Sequence, residues 1–126
     1  MNELGLHILM EFNDCSKSIL DDLGSLETVM NDAAIAADAT IIKSVFHQFS
    51  PQGVTGVIVV AESHLAIHTW PEHAYAAVDF FTCNLGMDYD KAYELLAEKL
   101  KSKNHSYKKI SRGLIPKSLE NELSKP

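Results

Sequence analysis

The chain is poor in positive charge, cysteine and long apolar runs, and each shortage excludes something. Eleven Lys and Arg stand against seventeen Asp and Glu, a formal net charge of −6. A nucleic-acid binder needs a basic footprint to displace phosphate counterions, so no nucleic-acid partner is expected. The same balance argues against docking on an anionic membrane. Apolar runs extend no further than Val57-Ile58-Val59-Val60-Ala61, far short of the ~20 residues of a membrane span. Met1-Asn2-Glu3-Leu4-Gly5 lacks the charged and apolar regions of a secretory signal. Two cysteines, Cys15 and Cys83, are too few for a disulfide scaffold, so reduced thiols and a cytoplasmic location are expected. What is left is ordinary globular material: 126 residues, 46% hydrophobic and 22% charged. That length suits one domain, spanning 1–126.

Periodicity sets the element order. Gly5–Phe12 is apolar and strand-like. Ser25 is placed to cap a helix with Glu27 in its first turn, and Leu26, Val29, Met30, Ala33, Ala34 and Ala37 then recur at helical spacing. Thr40–Phe49 is rich in β-branched and aromatic residues, and Pro51-Gln52-Gly53 is a turn. Val54–Ala61, His64–Thr69 and Ala74–Thr82 read as three further strands, with Trp70-Pro71-Glu72-His73 connecting the last two. Asp88 caps a second helix carrying Ala92, Tyr93, Leu96 and Leu100 on one side. His105–Ile110 reads as an edge strand and the last dozen residues as a mobile tail.

This order predicts an α+β fold, an antiparallel sheet with two helices on one face. Val57–Ala61 and Ala74–Phe81 leave little polar surface on either side. Two helices cover only one face, so the second is expected to pack on a partner sheet. The result is a homodimer, an αββα sandwich.

The chemistry concentrates between Glu62 and Cys83. That stretch holds Ser63, three of the six histidines (His64, His68 and His73), one of the two cysteines and the only tryptophan, Trp70. Taken singly, a serine at a strand end is usually a turn residue and a lone cysteine a core residue. No metal is expected. His64 and His68 lie four residues apart on a strand, roughly 13 Å, and cannot both reach zinc with bonds of about 2 Å. The residues around Ser63, Ala61-Glu62-Ser63-His64-Leu65, form no Gly-x-Ser-x-Gly elbow. A Gly-rich phosphate loop is also missing.

The string Glu62-Ser63-His64-Leu65-Ala66-Ile67-His68-Thr69-Trp70-Pro71-Glu72 closely resembles the small prokaryotic S-adenosylmethionine decarboxylase proenzymes. So do Tyr75-Ala76-Ala77-Val78-Asp79 and Phe81-Thr82-Cys83 after it. The likeness begins at Gly5-Leu6-His7, takes in Phe46-His47-Gln48-Phe49 and Pro51-Gln52-Gly53-Val54, and reaches Arg112-Gly113. It implies a pyruvoyl enzyme that cuts its own backbone between Glu62 and Ser63. Ser63 would attack the Glu62 carbonyl and shift the acyl group from nitrogen to oxygen. Elimination and hydrolysis would then leave chains 1–62 and 63–126, the second opening on a pyruvoyl group. By the same resemblance His68 is the base for processing and Cys83 the proton donor in decarboxylation. Thr55 stands where the family usually carries serine, and threonine keeps the processing hydroxyl while adding a methyl.

Residue types fit that chemistry. Decarboxylating an amino acid leaves a carbanion at Cα, and a carbonyl in Schiff-base linkage to the substrate amine drains its charge. The motif has no lysine to anchor pyridoxal phosphate. Aromatic faces suit a sulfonium and an adenine, which makes Phe49 and Trp70 candidates for substrate binding, with Glu72 for the ribose hydroxyls.

Spacing adds a geometric expectation. In a meander Ser63 falls opposite Phe81 to Cys83, and Thr55 falls near His68. Ser63 and His68 are then about 16 Å apart along one strand, so a two-fold partner is needed to join them. The expected activity is conversion of S-adenosylmethionine to its decarboxylated form plus CO2, for spermidine synthesis. Two rivals remain: the same chemistry on arginine or ornithine, and a non-catalytic dimeric ligand-binding module with Glu62-Ser63 intact.

Overall fold

The structure, a computed structural model, describes residues 2–115. Its elements are β1 (Asn2–Asn13), α1 (Lys17–Leu20), α2 (Leu23–Ala36), β2 (Ile41–Gln48), β3 (Val54–Val60), β4 (Ser63–Trp70), β5 (Tyr75–Thr82), α3 (Tyr89–Lys99) and β6 (Asn104–Ile115). The strands form one sheet in the order β2-β3-β4-β5-β1-β6, antiparallel throughout. The α+β expectation holds. The tail at 116–126 lies outside the described residues.

Alternation places the core. Leu6, Ile8, Met10 and Phe12 of β1, Leu65 and Ile67 of β4, and Ala76, Val78 and Phe80 of β5 are all buried beneath the helices. Burying each larger side chain contributes about 1.5–3 kcal/mol. α2 packs on β2, β3 and β4 and on α3, whereas α3 packs on β1. The helix seam is alanine-rich, with Ala33, Ala34, Ala37 and Ala92 fully buried. Small side chains let the helices lie close to each other and to the sheet. Gly56 makes room of another kind: a Cβ there would lie 2.1 Å from the ring of Phe46, its cross-strand partner.

Two local expectations are corrected. α2 begins at Leu23 with Asp22 as its cap, not at Ser25. Asp22 Oδ1 accepts the Ser25 N–H at 3.4 Å, and Oδ2 accepts the Ser25 hydroxyl at 3.0 Å. The one-turn helix α1 was not expected. It ends against the β2–β3 turn, where Asp21 Oδ1 accepts the Gly53 N–H at 2.9 Å. Gly53 needs its freedom there, with φ at +103° and a Cβ position 3.1 Å from the Thr69 carbonyl.

The opposite face is uncovered within one chain. Val45, Val57, Val59 and Ile110 stand exposed on it, with Leu9, Ala66 and Ala77 half-buried among them. Among the described residues, no helix is long and apolar enough to cross a membrane.

Candidate active site

β3 and β4 join through Ala61 and Glu62, and Val60 pairs with Ser63. The connection is tight, and Glu62 adopts a left-handed conformation with φ at +67°. For a side chain with a Cβ this costs about 1–2 kcal/mol. Asp14, Asp38, Ala74 and Lys101 do the same, so strain alone does not single Glu62 out. What does is the serine that follows it, together with its own carbonyl, whose oxygen accepts the Cys83 N–H at 2.8 Å, as the Ala74 carbonyl accepts the Cys15 N–H at 3.0 Å. A donor already aimed at the Glu62 oxygen is placed to hold the negative charge that would form on nucleophilic attack.

Ser63 opens β4 directly opposite Thr82 of β5. Its hydroxyl points to the helix side of the sheet, donating to Thr82 Oγ1 at 2.6 Å and contacting Met87 Sδ at 3.4 Å. The nucleophile candidate and the carbonyl before it are therefore both held by the Thr82-Cys83 pair. Cys83 itself is exposed. It lines a cleft of about 270 Å³ with Leu4, Gly5, Phe81, Arg112 and Gly113.

Thr55 and His68 pair across β3 and β4. Thr55 Oγ1 lies 2.9 Å from His68 Nδ1, a hydrogen bond that fixes the ring and leaves Nε2 free to act. Both side chains occupy the open face. They line a second cleft of about 260 Å³ together with Phe49, Gln52, Trp70 and Glu72. The Trp70 ring stacks on Tyr75 at 5.4 Å, and Phe49 meets His47 edge-on at 4.7 Å. Neighbours thus support both aromatic faces.

The sequence candidates accordingly fall into two groups. Thr55, His68, Phe49, Trp70 and Glu72 share one end of the sheet. Glu62, Ser63 and Cys83 share the other. β4 runs without a break from Ser63 to Trp70, so nothing folds His68 back toward Ser63 of its own chain. Among the described residues, no group of three His, Cys, Asp or Glu is placed to hold a metal ion.

Comparison with known proteins decides the family. The S-adenosylmethionine decarboxylase family model matches residues 6–113. A protein named S-adenosylmethionine decarboxylase proenzyme from Pelotomaculum thermopropionicum is 45% identical over 124 residues, covering 98% of each chain. The chain belongs to the S-adenosylmethionine decarboxylase family. A second relative of the same name, from Thermosipho africanus, is 54% identical over 102 residues, 81% of this chain and 78% of its own. The crystal structure of the Aquifex aeolicus adenosylmethionine decarboxylase superposes with a TM-score of 0.80 at 34% identity, covering 93% of this chain and 97% of that one. The crystal structure of a Trypanosoma brucei AdoMetDC monomer, at 15% identity and a TM-score of 0.52 over 82% of this chain and 44% of that one, shares the fold.

Two features of this decarboxylase-family site were not read from the sequence. Thr82 and Met87 touch the Ser63 hydroxyl, and Arg112 lies over the Phe81 ring at 5.3 Å, beside Cys83. The Thr82 contact was accessible in principle, because strand register places residues opposite Ser63 on the same face. Met87 comes from the loop before α3, which carries no periodic signal.

Proposed function

We propose that this chain is a self-processing, pyruvoyl-dependent decarboxylase converting S-adenosylmethionine to decarboxylated S-adenosylmethionine and CO2. The observation that carries the reading is the clamp at the Glu62-Ser63 bond: the Glu62 carbonyl on the Cys83 N–H and the Ser63 hydroxyl on Thr82.

Processing follows from those contacts. Ser63 Oγ attacks the Glu62 carbonyl carbon while the Cys83 N–H stabilises the oxyanion; one such donor is typically worth ~10²–10³ in rate. The C–N bond breaks, the amine takes a proton, and Glu62 is held as an ester on Ser63. A base then removes the α-proton of Ser63, and Oγ departs as part of the new Glu62 carboxylate. Hydrolysis with loss of ammonia leaves a carbonyl at the head of the second chain. The domain of 1–126 becomes chains 1–62 and 63–126. They stay together because β3 of the first pairs with β4 of the second, and β1 with β5 and β6.

The base comes from a second copy. We place His68 of the partner subunit, oriented by its own Thr55, beside the Ser63 α-carbon, whose proton it removes, in a homodimer whose open sheet faces pack together. The exposed Val45, Val57, Val59 and Ile110 support this packing. Cleft size supports it too. Clefts of about 260 and 270 Å³ each fall below the ~300–1,000 Å³ of ligand sites, and joined across a two-fold axis they enter that range.

In turnover, the pyruvoyl group supplies the electron sink for the carbanion at the substrate Cα. The residues present fit its formation, with a serine at a strapped turn after a carbonyl already on a donor, and no lysine lines either cleft among the described residues. Cys83 delivers a proton to that carbon. Phe49 and Trp70 receive the adenine and sulfonium, and Glu72 accepts from the ribose hydroxyls. Assaying CO2 release from carboxyl-labelled S-adenosylmethionine, arginine and ornithine tests this reading. Release from the first alone is expected. Release from arginine or ornithine instead reassigns the substrate, and release from none leaves a binding module.

A further inference from the structure

Thr69 and Thr82 are the buried polar side chains among the described residues, and Thr82 is 1% exposed. Thr69 has a structural task, accepting the Val54 N–H at 2.9 Å and donating to the Leu20 carbonyl at 2.7 Å. Thr82 meets the Ser63 hydroxyl instead. Its own connections fix its state. Oγ1 accepts the Asn84 N–H at 2.9 Å and donates to the Asn84 carbonyl at 3.1 Å, with Met87 Sδ at 3.7 Å.

A hydroxyl has one proton and two lone pairs. Asn84 takes the proton and one lone pair, so the other lone pair is left for the hydrogen of Ser63. Of the two acceptors within reach of the Ser63 hydroxyl, Thr82 Oγ1 at 2.6 Å is shorter and stronger than Met87 Sδ at 3.4 Å, so the Ser63 proton is directed to Thr82 and the lone pairs of Ser63 Oγ remain free. Asn84 contributes only a carbonyl at the end of this chain of bonds, which cannot take up a proton. Thr82 therefore orients the nucleophile and does not deprotonate it.

We infer that Thr82 is a positioning residue for self-cleavage, aiming the Ser63 hydroxyl while the adjacent Cys83 N–H holds the Glu62 carbonyl. The inference rests on the processing reading above. It assigns Thr82 to the acyl shift and not to the elimination that follows, because Oγ leaves with the first chain.

The test compares Thr82→Val, which keeps the shape and loses the hydroxyl, with Thr82→Ser, which keeps the hydroxyl. Freshly synthesised chains are followed by denaturing mass spectrometry, with circular dichroism and melting temperature reporting folding. Wild type and Thr82→Ser should cleave at similar rates, and Thr82→Val roughly tenfold more slowly or worse. The uncut Thr82→Val chain should be an amide, resistant to hydroxylamine. Cleavage of folded Thr82→Val at the wild-type rate overturns the inference and reduces Thr82 to a stabilising residue. Accumulation of a hydroxylamine-sensitive ester overturns it too, by placing Thr82 in the second step. If Thr82→Val does not fold, Thr82→Ala against Thr82→Ser makes the same comparison. An uncut wild type would remove the processing reading itself, a result distinct from equal rates in two variants that both cleave.

Discussion

Ser63 and His68 stand five residues apart on one unbroken strand and present their side chains to opposite faces of the sheet. An odd separation on a period-two strand always does this. Their separation of ~16 Å along the strand keeps His68 from acting on Ser63 of its own chain. The arrangement suits a pair of chains, each lending the Thr55–His68 end of its sheet to the Ser63–Cys83 end of its partner.

If His68 is the base for elimination, His68→Ala should stop after the acyl shift. The ester at Ser63 should persist, and hydroxylamine, which attacks esters far faster than amides, should cut it. Thr55→Val removes the partner of His68 Nδ1 and should slow the same step, with Thr55→Ser restoring it. A His68→Ala chain that is folded and inert to hydroxylamine would move His68 to an earlier step.

Cys83→Ala separates the two roles of that residue. Alanine keeps the backbone N–H that binds the Glu62 carbonyl, so cleavage should proceed. The thiol is lost, and decarboxylation should fall by ~10²–10⁴-fold, the usual contribution of a general acid. Turnover at the wild-type rate in the cleaved variant would make Cys83 a bystander in turnover.

Tyr75 gives a pH-dependent expectation on the open face. Its hydroxyl donates to Glu11 Oε2 at 2.6 Å. Burial first, then the bond to Glu11 and the charges of Glu11 and Asp79, push the phenol up to about 12 from an ordinary value of ~10. A raised folded-state pKa means that the neutral form is favoured by folding. The associated stability is fully present below pH ~10 and is lost as pH rises through about 12. Tyr75→Phe should therefore melt below wild type at pH 7–8, and the gap should narrow steadily above pH ~10. A gap constant with pH would assign the difference to packing alone.

The central hairpins were legible because their signals are local. Apolar and β-branched runs marked strands at Val54–Ala61, His64–Thr69 and Ala74–Thr82, and the short connections between them put Thr55 near His68 and Ser63 opposite Phe81 to Cys83; the structure pairs Thr55 with His68 and Ser63 with Thr82. Asp88 was read correctly as the cap of α3. The insertion of β1 between β5 and β6 was not legible. Those pairings join residues 64–76 and 91–113 positions apart, and no local pattern encodes them. The start of α2 was misread because Gly24 weakens the first turn, making Ser25 look like the cap when Asp22 already holds it. The residue roles came from the resemblance of the Glu62–Glu72 string. Thr82 was quoted in that resemblance without a task, and only the 2.6 Å contact to Ser63 gives it one.

Sharing of the site between two chains is tested most directly by complementation. Ser63→Ala cannot form the ester, and His68→Ala cannot complete the elimination, so each expressed alone should remain uncut. Co-expressed, they form mixed dimers in which the intact Ser63 of the His68→Ala chain faces the intact His68 of the Ser63→Ala chain. A denaturing mass spectrum of the mixture should then show the His68→Ala chain cut into 1–62 and 63–126, and the Ser63→Ala chain whole. If mixed dimers form and neither chain is cut, Ser63 and His68 of one subunit act together, and the two-chain site is wrong.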